Sequence, residues 1–115
     1  MRLPVAALIL ALASQVAMAD PNVASGVITQ ISTFTAAGGG PNNGDLRVFI
    51  AGQTFCSGPT TTTWSFINAS DANYKGVVGA LMLAYSMGKQ VAITSTVGTI
   101  SGVQYCQIAR VDVIG

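Results

Sequence analysis

Apolar positions along the chain repeat with two different periods, and the changes of period mark out the elements. The stretch "LRVFIA" (46–51) alternates strictly, with Leu46, Val48 and Ile50 on one side and Arg47, Phe49 and Ala51 on the other, as a half-buried β-strand does. "GVITQISTFT" (26–35) is rich in β-branched and aromatic residues and also reads as a strand. Its alternation is imperfect, which predicts partial cover on both faces. The glycine- and asparagine-rich "AAGGGPNNGD" (36–45) between them is a loop. Gly52 and Gln53 begin a turn, "SGPTTTT" (57–63) is a second connection, and "WSFI" (64–67) is a short strand leading into a helix.

The helix is set by a 3.6-residue period. Tyr74, Val77, Val78, Leu81, Ala84 and Tyr85 form its predicted buried stripe. Ser70 is the expected N-cap, with Asp71 beside the positive end of the dipole, and Gly88 followed by Lys89 ends it. Gly76 and Gly79 each cost about 1 kcal/mol of helix propensity against alanine. Their small size predicts close approach of a sheet or of a neighbouring copy. "QVAITST" (90–96) is a strand, "VGTISG" (97–102) turns the chain, and "YCQIARVDVI" (105–114) is the last strand. Its apolar register changes between Ile108 and Val111, the mark of a β-bulge. Strand, strand, short strand, helix, strand, strand describes one α+β, mainly β domain: a small, partly closed barrel with one packed helix.

The N-terminus has a separate logic. Arg2, an apolar run over 3–13 and Ala17-Met18-Ala19 make the three parts of a secretory signal peptide. The run falls short of the roughly 20 residues that span a bilayer. Cleavage between Ala19 and Asp20 is expected, leaving 20–115 as a single domain in the periplasm or outside the cell. The mature charges then cancel: Asp20, Asp45, Asp71 and Asp112 against Arg47, Lys75, Lys89 and Arg110. A neutral surface argues against nucleic acid and against anionic membrane, both of which need clustered basic residues. It also repels its own copies weakly, so self-association is easy. Cys56 and Cys106 are the two cysteines, and in an oxidising compartment a single disulfide is the default reading. Two free thiols or a metal pair is the poorer alternative, because zinc wants four ligands and the chain has no histidine.

Catalysis finds little to work with. There is no histidine for base or ligand duty, and no glutamate. Asp71 is better placed as a dipole partner, and Asp112 with Arg110 as a surface pair. The glycine loop lacks the lysine and hydroxyl of a phosphate-binding loop. Asn68-Ala69-Ser70 matches an N-glycosylation sequon, although the helix cap accounts for its serine equally well. A non-enzyme without cofactor or metal is the expectation.

Three features carry a resemblance: "SGVITQ" entering the first strand, "YKGVVGALMLAYSMGKQVAI" running from helix to strand, and the paired cysteines. Together they resemble the B subunits of subtilase-cytotoxin and pertussis-like AB5 toxins. They are also similar to a wider set of small exported bacterial proteins with the same strand–strand–Cys–helix–strand–Cys–strand plan. The resemblance implies an OB-like fold, a ring of five subunits, a sialylated glycan as ligand and a separate catalytic A subunit as partner. It also implies a serine at the start of the first strand that hydrogen-bonds the sialic acid carboxylate. Aligned on "SG" that residue is Ser25; aligned on "VITQ" its place falls on Ala24. Arg47 is the second glycan-binding candidate, since a guanidinium pairs well with a carboxylate. Thr29, Gln30 and the tyrosines supply further hydroxyls, amides and ring faces, while Trp64 reads as core. The competing reading makes all of these ordinary strand residues. The chain is then an exported protein-binding domain, such as an inhibitor or an envelope accessory protein.

Overall fold

The structure is a computed structural model that describes residues 22–35, 44–58, 63–100 and 102–115. The expected signal peptide with Asp20, most of the glycine loop and part of the threonine run lie outside the described residues. Among the described residues five strands and one helix follow in the order β1 (Val23–Thr33), β2 (Leu46–Ile50), β3 (Trp64–Ile67), α1 (Tyr74–Met87), β4 (Gln90–Ile100) and β5 (Val103–Ile114). The small, mainly β architecture with one helix and one disulfide is therefore as expected.

The strand pairings close on themselves in the order β1-β2-β3-β5-β4. β1 makes this possible by changing partners along its length. Val23 to Val27 pair with β4, and Ile28 to Thr33 pair with β2. Gly26 sits just before the change, at φ +143°, and a Cβ there would come within 2.9 Å of Ile50 Cγ2. Glycine suits this point because the positive φ strains other residues and a Cβ would run into the Ile50 side chain. The imperfect alternation of β1 also has a different cause from the one expected. Register slips between Ile28 and Gln30, so Thr29 is an extra residue, a bulge. Ala24 and Ile28 point into the core before it, and Ile31 packs on the core after it. β5 carries the second bulge. Thr94 pairs with Arg110 and Ser95 with Ile108, leaving Ala109 unpaired, as the change of period between Ile108 and Val111 predicts.

Inside the ring, Ile28, Leu46, Val48, Ile50, Ile67, Val91, Ile93 and Ile108 meet Phe55, Leu81 and Ala84. One polar contact lies among them: the Ser65 and Ser95 hydroxyls are 2.9 Å apart and buried. Each satisfies the other, which removes the cost of an orphaned hydroxyl. β3 and β5 are joined by one parallel backbone pair, Phe66 with Gln107. Side chains reinforce this seam. The Gln107 amide donates to Asn68 Oδ1 at 3.1 Å, and the Asn68 amide donates to Asp45 Oδ2 at 3.3 Å. The Ala69 N–H donates to Asp45 Oδ1 at 2.8 Å. The sequon asparagine is thus occupied by a structural network. The Cys56–Cys106 disulfide crosses next to the seam, with a Cα–Cα separation of 5.7 Å.

α1 departs from expectation at its start. Ser70 is exposed, and the N-cap is Asn73, without a side-chain capping bond. Asp71 instead closes the preceding turn, its carboxylate accepting the Asn73 N–H at 2.8 Å and its carbonyl the Tyr74 N–H at 3.0 Å. Local Asx geometry has outcompeted helix capping here. The C-terminus is as expected. Gly88 is left-handed at φ 64°, its N–H donating to the Tyr85 carbonyl and the Lys89 N–H to that of Ala84, the paired bonds of a Schellman motif. Of the expected stripe, Leu81 and Ala84 are buried, and Tyr74, Val77 and Val78 pack against the core. Tyr85 is 46% exposed and does not belong to it. Among the described residues nothing beyond the helix's own backbone comes within 4 Å of the Cβ positions at Gly76 and Gly79, so neither serves the expected close packing there. The "VGTI" of the expected turn is strand, and the β4–β5 hairpin runs on to the pair Ile100 and Val103.

The disulfide closes a loop of 50 residues. Its loss, in a Cys56→Ser/Cys106→Ser variant, is expected to lower unfolding free energy by about 4 kcal/mol. Urea denaturation of the two proteins measures this.

Candidate functional site

The outer face of β2, β3 and β5 holds an aromatic cluster that lies outside the barrel core. Trp64 and Phe66 alternate outward on β3, and Tyr105 reaches them from β5. Ring centroids are 6.1 Å apart for Trp64 and Phe66, 5.5 Å for Trp64 and Tyr105, and 5.5 Å for Phe66 and Tyr105. Trp64 and Phe66 are buried although they point away from the interior. Trp64 is buried, as expected of a core residue, but in this cluster and not among the residues inside the ring.

Arg47 covers this cluster. β2 places it opposite Phe66, and its guanidinium carbon lies 4.0 Å from the Trp64 ring centroid and 4.3 Å from that of Phe34. A cation held between two ring faces gains about 0.5–2 kcal/mol from each. Burial lowers the Arg47 pKa from its usual value, with Tyr105 opposing the shift. An arginine remains cationic despite such a shift. Its Nε is buried and has no hydrogen-bond partner among the described residues. Among the described residues Arg47 has no carboxylate partner, whereas Arg110 pairs with Asp112 at 3.0 Å on the surface, as expected of them.

Two residues further along the outer side of β2 is Phe49, and there the surface dips into a pocket of about 410 Å³. Phe49 shares its wall with Thr29, Gln30, Gln53, Thr54 and Thr63, all uncharged. The turn that carries Gln53 is tight. The Gln53 N–H donates to the Ile50 carbonyl at 3.2 Å, and Gly52 takes φ +73°, which suits glycine. A second depression, about 460 Å³ between α1 and β5, is lined by Asn73, Gly76, Val77, Ala80, Ala109 and Val111 among others. Asn73 is the polar side chain among its lining residues.

Ser25 and Arg47, the two candidates from sequence, do not meet. Arg47 pairs across to Ser32 of β1, seven residues beyond Ser25 and roughly 20 Å along the strand. Ser25 points outward, while Ala24 is fully buried in the core, so Ser25 is the one whose side chain a ligand can reach. The Ser25 N–H donates to Gln53 Oε1 at 3.1 Å, which links Ser25 to the far end of the pocket. Thr29 donates to the Phe49 carbonyl at 3.2 Å, and the Gln30 amide to the Ser32 hydroxyl at 3.0 Å. Sequence reasoning missed Phe34, Gln53, Thr54 and Thr63 as contributors. The alternation of Arg47 and Phe49 on one side of β2 carries part of the signal. The partnership of Gln53 with a residue 28 positions away carries none. No family model matches the chain, and no curated protein or solved structure matches it either.

Trp64 is the only tryptophan of the chain, so its fluorescence reports on the stacked arginine. Arg47→Lys is expected to shift Trp64 emission to the red and to lower stability by about 1 kcal/mol, because an ammonium cannot stack flat between two rings. An unchanged spectrum and denaturation midpoint would mean that the stacking contributes nothing.

Proposed function

We propose that this chain is an exported, non-catalytic binding subunit on an OB-like barrel, and that its ligand is a glycan ending in a carboxylated sugar of the sialic acid class. The observation that carries this reading is the unneutralised Arg47 guanidinium held between Phe34 and Trp64. A cation in that setting recognises a carboxylate by charge-assisted hydrogen bonds, and the half-buried Phe34 and Phe49 flank it with apolar surface. The sialic acid class is what the resemblance to AB5 toxin B subunits implies, with the carboxylate moved here from Ser25 to Arg47. The neutral polar surface around the site suits a ligand made mostly of hydroxyls and amides.

The test is a glycan array followed by titration. Sialylated glycans are expected to bind and their desialylated forms not to bind. Arg47→Met should weaken binding at least tenfold, since a hydrogen bond to a charged group is worth about 1.5–3 kcal/mol. An array without sialoside signal, or an Arg47→Met variant with unchanged affinity, would sink the proposal.

Assembly belongs to the same reading. Met82, Leu83 and Met87 of α1 are exposed, Met87 to 60%. An apolar helix surface of this kind favours association, either with further copies in a ring of five carrying a catalytic chain or with an unrelated protein partner. The first arrangement predicts a pentameric mass by light scattering. A monomer at high concentration would favour the second.

A further inference from the structure

Resting on that reading, we infer that the pocket beside Phe49 is a second sugar subsite, built for a neutral hexose attached to the acidic sugar held at Arg47. The two sites are neighbours on β2. Arg47 and Phe49 share the outer side of β2, two residues and thus about 7 Å apart, a spacing of the order of one sugar unit. Phe49 pairs with Trp64 across the β2–β3 ladder, so the ring that holds the guanidinium and the ring that walls the pocket are neighbours.

The pocket's chemistry is that of a polyol site. Thr29, Gln30, Gln53, Thr54 and Thr63 present hydroxyls and amides and no charge, while Phe49 offers an apolar wall. Gln53 is the residue prepared in advance. Its backbone is fixed by the turn bond to Ile50, and its Oε1 accepts the Ser25 N–H. That bond settles which end of the amide is oxygen, because a backbone N–H can only donate. The Gln53 NH₂ is left to donate elsewhere, and a sugar hydroxyl in the pocket is an acceptor of the right class. Ser25 then acts through its backbone, as a positioning residue for Gln53, roughly one strand length from the carboxylate at Arg47.

The experiment compares three ligands by calorimetric titration: the methyl glycoside of N-acetylneuraminic acid, sialyllactose in its α2,3 and α2,6 forms, and lactose. One sialyllactose isomer is expected to bind at least tenfold more tightly than the methyl glycoside. Gln53→Leu and Thr63→Val should each reduce that gain severalfold, leaving methyl glycoside affinity within about twofold. Near-UV circular dichroism of the variants confirms that the aromatic cluster is intact. Equal affinity of the native protein for the methyl glycoside and both isomers overturns the subsite while leaving the Arg47 reading in place. So do pocket variants that weaken both ligand types alike. Binding of neither sialoside overturns both. Tight binding of lactose alone overturns the Arg47 reading and shows the pocket to act independently of it.

Discussion

Closure of the ring at β3 and β5 is the constraint on which the remaining structure depends. β3 is four residues long and meets β5 through a single backbone pair. One such pair is a weak fastening compared with the ladders elsewhere. The seam is held instead by a covalent bond and a relay of side chains. Cys106 lies next to Gln107, the residue that pairs across, and Cys56 anchors it to the connection leaving β2. Gln107, Asn68 and Asp45 then tie β5 to the end of β3 and the start of β2. Because the aromatic cluster straddles this seam, with Trp64 and Phe66 on one side and Tyr105 on the other, the candidate site inherits its geometry from the closure.

Much of the fold was legible in the sequence because it rests on local patterns. The strict alternation of 46–51 gave β2 to within a residue, and the change of period after Ile108 located the β5 bulge at Ala109. Gly88 ended α1 because a left-handed residue is needed there. Misreadings arose where local signals compete. Ser70 followed by Asp71 looks like a cap, yet the Asp71 side chain binds the Asn73 N–H and delays the helix. Val97, Gly98, Thr99 and Ile100 look like a turn because of their glycine, yet cross-strand pairing holds them as strand.

The candidate site was legible only in part, for a related reason. Arg47 was legible as a guanidinium suited to a carboxylate, and Ser25 through resemblance. Their separation along β1 depends on the bulge at Thr29 and on the change of partner near Gly26, neither of which a residue pattern displays. The rings on either side of Arg47 come from positions 34 and 64, and Phe34 reaches it only through the tertiary fold.

β4 is paired on both sides over Gln90 to Thr94, with β1 on one flank and β5 on the other. Beyond Thr96 the hairpin pairs on one flank only. Stability is therefore unevenly distributed, and local opening begins where ladders are single. Amide hydrogens of Val91 and Ile93 lie in the doubly paired part of the sheet, whereas those of 97–100 and 103–104 lie where a single ladder holds the chain. Tyr105 stands at the boundary between these regimes, one residue from the disulfide. The Tyr105 ring is held by Trp64 and by the neighbouring disulfide and not by the hairpin arm, so a singly paired edge and a cross-linked aromatic cluster share the same strand.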